Sequence, residues 1–325
     1  MIAIDLRGLT KAFRTYRKER GIRGALKGLF HRKYAETRAV DNISFQIDEG
    51  DFVGFLGPNG AGKTTTLKML SGLLYPTSGT ASVLGFVPWE RKDAMKRQIS
   101  LLMGQKNALW WDLPARESLE LNRVIYGIPM KDFEGIVSEL TEMLDVREQL
   151  DVMVRELSLG QRMKMELIAA LLHRPRVLFL DEPTIGLDVV SQKIVREFLK
   201  HHNATSHTTI LLTSHYMQDI EELCERVILI DHGRVIFDGP LERIVEQFSG
   251  SKIVEAKFSA PTTADFGSLG SILERTPDCV KVEVPRASVA EVCRILLDRA
   301  PVADLTVAEV PIEDVIRNLF GKNAL

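Results

Sequence analysis

Gly57-Pro58-Asn59-Gly60-Ala61-Gly62-Lys63-Thr64 decides how this chain is read. It fits G-x-x-x-x-G-K-[ST] at every fixed position, the spacing of a phosphate-cradling loop. The context agrees, because AVDNISFQIDEGDFVGFL (39–56) reads as strand running into the loop and TTTLKMLSGLL (64–74) reads as the helix that leaves it. Glycines let successive backbone N–H groups turn inward on phosphate oxygens, while the following helix presents its positive end. Lys63 is then placed to reach the β- and γ-phosphates, the Thr64 hydroxyl to hold Mg²⁺, and Thr65 to complete the nucleotide-binding run.

Working outward, Val177-Leu178-Phe179-Leu180-Asp181-Glu182 is four apolar residues ending in two acids. A buried strand of that kind delivers carboxylates at its C-terminal end, where open α/β sheets gather their ligands. Asp181 suits Mg²⁺, and Glu182 suits a base that polarises an attacking water. Strand-then-helix alternation continues through TIGLDVVSQKIVREFLK, TTILLTS, MQDIEELCE, VILID and RVIFDG, the rhythm of buried parallel strands flanked by helices. Residues 112–165 carry apolar positions at three- and four-residue spacing, which predicts a helical subdomain inserted in that core. Ser249-Gly250-Ser251 interrupts the periodicity and predicts a boundary between a domain at 1–250 and a small α+β domain at 251–325.

The 325 residues suit two domains, and 45% hydrophobic with 26% charged residues predicts packed cores. A formal charge of −2 argues against a nucleic-acid binder acting through overall charge. No apolar run reaches the roughly 18–20 residues that span a bilayer, and the start MIAIDLRGLT lacks the pattern of a secretory signal, so a cytoplasmic location is expected. Cys224, Cys279 and Cys293 are widely spaced, and reduced structural thiols are expected.

Leu157-Ser158-Leu159-Gly160-Gln161 precedes the acidic strand, Gln105 follows ISLLMG, Gly186-Leu187-Asp188 follows the acids, and His215 follows TILLTS. In this order the motifs resemble the ATP-binding cassette transporter ATPases over residues 1–245. The resemblance implies a P-loop cassette binding ATP and Mg²⁺, with two cassettes packed head to tail so that the signature of one completes the ATP site of the other. It implies that Ser158, Leu159, Gly160 and Gln161 act in the partner's site, with Leu159 standing where the family has glycine. It implies that Gln105 touches Mg²⁺ and reports to the membrane subunit, that Asp188 contacts the opposite cassette, and that His215 bonds the γ-phosphate. Asp188 and His215 also fit helix caps. The family stacks adenine on an aromatic residue before the second strand; Tyr34 fits the usual spacing, with Phe13 as the competitor.

Between Arg14 and Arg38 nine basic residues stand against Glu19 and Glu36. Ile22, Ala25, Leu26, Leu29 and Phe30 recur at helical spacing there, which predicts an insert at 14–38 forming a basic amphipathic helix. Such a helix suits an anionic membrane surface, or packs on its own domain with a solvated basic face. Trp110 and Trp111 point to opposite sides if extended, so at least one is a candidate interface anchor. The expected function is the ATP-hydrolysing subunit of a multi-subunit exporter, peripheral on the cytoplasmic side of the membrane, beneath separately encoded permease subunits and paired with a second cassette. The alternative is a soluble cassette ATPase acting on ribosomes or DNA.

Overall fold

The computed structural model describes residues 1–16, 34–104, 106 and 108–322. The chain divides into two compact units, Met1–Gly239 and Pro240–Leu325. In the first unit, strands β1 (Ile2–Tyr16), β2 (Tyr34–Asp48) and β4 (Ser78–Val83) form an antiparallel sheet in the order β2-β1-β4. Helix α1 (Lys63–Leu70) leaves the loop after β3 (Phe52–Leu56), and α2 (Asp93–Lys96) precedes β5 (Ile99–Met103). Apolar residues alternating along β1 and β2, among them Ile4, Leu6, Ile43, Phe45 and Ile47, meet Phe55 of β3 and Leu67 and Met69 of α1 in one core. The alternation is what lets one face of this sheet bury while the other meets solvent.

A six-stranded sheet in the order β5-β6-β7-β3-β8-β9 forms the centre, adding β6 (Val177–Asp181), β7 (Thr209–Thr213), β8 (Arg226–Asp231) and β9 (Arg234–Pro240). The β5/β6, β6/β7, β7/β3 and β3/β8 pairs are parallel. Every residue of β6 and β7 is buried, which is why their centres, Val177–Leu180 and Ile210–Leu212, are apolar without alternation. Asp181 lies directly opposite Thr213, so the ends of β6 and β7 stand level, with β3 and its glycine loop on the far side of β7.

Between β5 and β6 run α3 (Ala115–Tyr126), α4 (Met130–Met143) and α5 (Leu159–Leu171). Gly127 at φ 69 ends α3, the left-handed position that glycine takes without strain. Beyond β6, α6 (Val189–Ser206) and α7 (Met217–Leu223) flank β7.

The second unit is a four-stranded antiparallel sheet in the order β11-β12-β10-β13, built from β10 (Ser251–Phe258), β11 (Ser271–Thr276), β12 (Cys279–Pro285) and β13 (Val302–Glu309). Helix α9 (Val289–Arg299) packs Val292 and Leu296 onto Val254, Ala256, Val280, Val282 and Val284. The division falls at Gly239/Pro240 rather than at 250, because α8 (Glu242–Phe248) packs with α10 (Ile312–Lys322) of the second unit. Ile244 and Val245 of α8 and Val315 and Ile316 of α10 are all buried.

The insert expected at 14–38 is narrower in the structure. The β1/β2 ladder continues through Arg14 opposite Glu36 and Thr15 opposite Ala35 to Tyr16 opposite Tyr34. Arg14 and Glu36 approach to 3.6 Å across the ribbon, an ion pair that suits strand pairing rather than an excursion. The stripe from Ile22 to Phe30, with Arg23 and Lys27, lies outside the described residues.

Candidate functional site

The end of β6 is where the chain gathers its charge. Asp181 Oδ2 accepts a hydrogen bond of 2.7 Å from the Thr64 hydroxyl, and its Oδ1 accepts one of 2.8 Å from Thr213 Oγ1. The glycine loop and the acidic strand are thus joined through one buried carboxylate. Thr64 and Asp181 offer hydroxyl and carboxylate oxygens only, the donor set a Mg²⁺ ion uses alongside phosphate oxygens and water. Among the described residues no cluster of three or more histidine, cysteine or acidic side chains could hold a metal by protein ligands alone, which is the usual situation for a phosphate-associated Mg²⁺.

Lys63 is buried at the first turn of α1, and its ammonium donates to the carbonyls of Gly57 at 2.5 Å and Pro58 at 3.1 Å. Burial holds its pKa below the ordinary lysine value, against the opposing pull of Glu182 and Asp181. Gly62 at φ 111 is left-handed, and a Cβ there would fall 2.4 Å from the Ala39 carbonyl. The motif glycine is therefore required both for its dihedral and for the close packing of the loop on β2.

Glu182 sits just past the strand at φ 57, a left-handed conformation that a non-glycine residue adopts at a cost of roughly 1–3 kcal/mol. Its N–H donates to the Thr213 carbonyl at 3.0 Å and to the Thr213 hydroxyl at 3.1 Å. On the other side Gly104 crowds the Glu182 carbonyl so closely that a Cβ would fall 2.2 Å from it. The turn aims the carboxylate at His215, whose Nε2 lies 2.7 Å from Glu182 Oε1. Lysine, two acids and a histidine therefore converge on the ends of β3, β6 and β7.

Ser158 and Gln161 serve first as a helix cap. Ser158 Oγ accepts from Gln161 N at 3.2 Å, and Gln161 Oε1 accepts from Ser158 N at 3.0 Å, a reciprocal capping box at the start of α5. Asp188 caps α6, accepting from Ser191 N at 2.9 Å and Ser191 Oγ at 2.7 Å, and the Ser191 bonds hold its carboxyl below the usual carboxylate range. A Cβ on Gly160 would fall 2.6 Å from Ser191 Oγ, so the two helix starts lie against each other and Gly160 is what lets them. Leu159, in place of the family's glycine, is the exposed first residue of α5.

Gln105 lies outside the described residues. The segment that follows it is fastened to α5: Glu166 accepts from Ala108 N at 2.9 Å and Leu109 N at 3.2 Å. Burial pushes the Glu166 carboxyl up, partly offset by those two bonds. Trp110 and Trp111 remain 43% and 44% exposed, with the Arg162 guanidinium 5.3 Å from the Trp111 ring centre. Leu121, Val124 and Ile125 add exposed apolar surface on α3.

The β1/β2 ribbon separates the two aromatic candidates. The loop touches it at Ala39 and Val40. Phe13 is paired with Thr37 and is 39% exposed, with the Lys11 ammonium 5.2 Å from its ring. The Tyr34 backbone stands opposite Tyr16 at the ribbon's end, six positions from Val40, or about 20 Å of extended chain.

Thr213 and Gly104 escaped the sequence reading. Thr213 adjoins Ser214-His215, so its place before a site histidine was a signal; Gly104, next to Gln105, gave none, since its reason is the neighbouring strand.

Residues 40–185 match the family model described as "ABC transporter", and residues 250–308 match that of "EvrA-like ABC transporter, C-terminal domain". The "Linearmycin resistance ATP-binding protein LnrL" of Bacillus subtilis (strain 168) is 31% identical over 299 residues, covering 89% of this chain and 96% of that protein. The "ABC transporter ATP-binding protein NatA" of the same organism is 36% identical over 67% of this chain and 88% of its own length. The "Nod factor export ATP-binding protein I" of Burkholderia orbicola (strain AU 1054) is 37% identical over 69% and 73%. Among solved structures, an ATP-binding subunit of an ABC transporter superposes with a TM-score of 0.62 at 25% identity, covering 76% of this chain and 93% of that one. A bacterial ABC transporter cassette determined as a dimer gives a TM-score of 0.61 at 23% identity, over 73% and 98%, and shows the shared fold.

Proposed function

Since the chain belongs to the ABC transporter ATP-binding proteins, a family of ATPases, we propose that it is the ATP-hydrolysing subunit of a multi-subunit exporter and works as a pair of cassettes. Relatives named for linearmycin resistance and Nod factor export favour export. The observation that carries the reading is the surface beside the two capped helices. Val189 and Val190 are 76% and 68% exposed on α6, next to Leu159, Ser158 and Gly160, apolar area adjoining helix N-termini suited to phosphate. A second cassette would cover the valines and bring its own nucleotide against Ser158 and Gly160, with Asp188 at the seam.

Within one cassette, Gly57 to Thr65 would hold the phosphates of ATP, Thr64, Asp181 and Gln105 would hold Mg²⁺, and bound Mg²⁺ would offset phosphate charge. Glu182 would accept the proton of the attacking water, with His215 beside it on the γ-phosphate. Phe13 is the better adenine platform, because Tyr34 stands too far along the ribbon from the loop. Trp110, Trp111 and the exposed face of α3 would receive a separately encoded membrane subunit. Among the described residues no helix is long and apolar enough to cross a membrane, so on this reading the transport path belongs to that partner. The basic segment 17–33 would meet anionic lipid, and the place of work would be the cytoplasmic face of the membrane.

The test is the Glu182→Gln chain with saturating ATP, followed by light scattering and by capture from detergent-solubilised membranes. A nucleotide-dependent dimer and a co-purifying multispanning membrane protein are expected. A monomer at saturating ATP, recovered without a membrane protein, would overturn the reading.

A further inference from the structure

Behind Glu182 and His215 lies a third carboxylate, outside the site described above. Asp219, on α7, is fully buried and accepts three hydrogen bonds. Its Oδ2 receives the Thr184 hydroxyl at 2.5 Å and the Ser214 hydroxyl at 2.6 Å, while its Oδ1 receives the Arg196 guanidinium at 3.1 Å. Arg196, itself buried on α6, also donates to Glu222 at 2.9 Å. Thr184 is two residues past Glu182, and Ser214 is the residue before His215. One oxygen of one side chain therefore grips both loops that carry the reactive pair.

We propose that Asp219 is a positioning residue for ATP hydrolysis, locking the Glu182 turn to the His215 turn so that the two side chains keep a single geometry. The proposal rests on the ATPase reading of this site and adds a residue to it. Three facts support the lock. Glu182 is held in an unfavourable left-handed conformation, so its turn would relax without restraint on both sides. Thr213 restrains it at the strand, through its carbonyl and hydroxyl. Asp219 restrains it two residues further on, and a buried carboxylate with three donors has little freedom of its own. Asparagine offers a single acceptor oxygen and two unwanted donors, so it cannot take all three bonds. A carboxylate is specifically required because a buried guanidinium stands beside it.

The test compares Thr184→Val, Thr184→Ser, Ser214→Ala and Asp219→Asn in the full chain, with kcat, KM for ATP and the melting temperature read for each. Thr184→Val keeps the shape and the Arg196–Asp219 pair while removing one link. It is expected to lower kcat roughly tenfold with KM within about twofold, and Asp219→Asn to lower kcat roughly a hundredfold, the scale of a small misplacement of catalytic groups. Thr184→Ser restores the hydroxyl and is expected to recover most of the rate. If Asp219→Asn does not fold, Thr184→Val and Ser214→Ala decide. Turnover within about twofold of the parent in the folded variants, or a loss that serine does not rescue, overturns the proposal while leaving the ATPase reading intact. A parent chain without hydrolysis sensitive to Glu182→Gln overturns both.

Discussion

The two units of this chain bury different chemistry. Among the described residues Lys63, Lys164, Glu166, Asp181, Arg196, Asp219 and Asp231 are buried in Met1–Gly239, whereas the core of the second unit is Val254, Ala256, Val280, Val282, Val284, Phe266 and Leu296. Ion pairs of the second unit such as Lys252–Glu309 at 3.0 Å and Arg286–Glu309 at 2.7 Å lie at the surface, where such pairs contribute about 0–1 kcal/mol. A buried charge costs stability unless it is paired, so a fold keeps one where it has a task. Among the described residues the buried charges gather in the first unit, where the glycine loop and the acidic strand end meet, and the second unit has an apolar core.

The sharpest way to break this contrast is Glu182→Gln, which removes the base and keeps the shape. Steady-state hydrolysis is expected to fall by roughly 10²–10⁴-fold with ATP binding retained; near-normal phosphate release would remove Glu182 from its role. The reciprocal change is Leu296→Ala in the second unit, expected to cost about 2–5 kcal/mol of that unit's stability in a calorimetric or chemical melt. ATP turnover measured below the melt should stay at the parent value. A loss of turnover in the folded Leu296→Ala chain would show that the second unit serves the chemistry after all.

Lys63→Ala is expected to weaken ATP binding by roughly 10- to 100-fold, the worth of a hydrogen bond to a charged group, and unchanged affinity in a titration would contradict its placement. A smaller effect comes from buried histidines of the first unit. His173 stacks on Tyr126 at 3.9 Å, and burial holds its pKa below 6.5, opposed by its bond to the Ile99 carbonyl; burial lowers His202 as well. Below that value the unfolded chain takes up protons that the folded one refuses, so stability is lost as pH falls. The melting temperature of the first unit should drop from about pH 7.5 to about pH 5.5, and less so in His173→Gln. Equal shifts in both chains would rule out His173 as the source. Smallest is the insert, where Arg23→Glu with Lys27→Glu should weaken binding to anionic vesicles by about 1 kcal/mol per charge, an effect that salt removes. Unchanged binding at low salt would end the lipid reading.

How much was legible depended on distance along the chain. Gly57 to Thr64, and Val177 to Glu182, are contiguous, and each carries its own reason: glycines that admit positive φ, and an apolar run that can only be buried. The Ser158–Gln161 box is equally local, three residues apart, and Asp188 reads as the cap it is. The insert's flanks were misjudged because Arg14 to Tyr16 and Tyr34 to Arg38 acquire strand character only from each other. The boundary moved for a similar reason, since α8 finds its apolar partner in α10, some seventy residues later.

By itself, then, the sequence determined the glycine loop, the acidic strand end and the signature cap, because each rests on residues a few positions apart, and the family, because those motifs stand in one order along the chain. Only the tertiary structure decided that Thr213 bridges both acids, that Gly104 makes room for the Glu182 turn, that Phe13 lies nearer the loop than Tyr34, and that Asp219 binds Thr184 to Ser214. The Thr213 and Ser214 contacts exist because β7 lies beside β6, the Gly104 contact because β5 lies on the other side of β6, and the place of Phe13 because β1 pairs with β2; strand order is a property of long-range packing that no local spacing encodes.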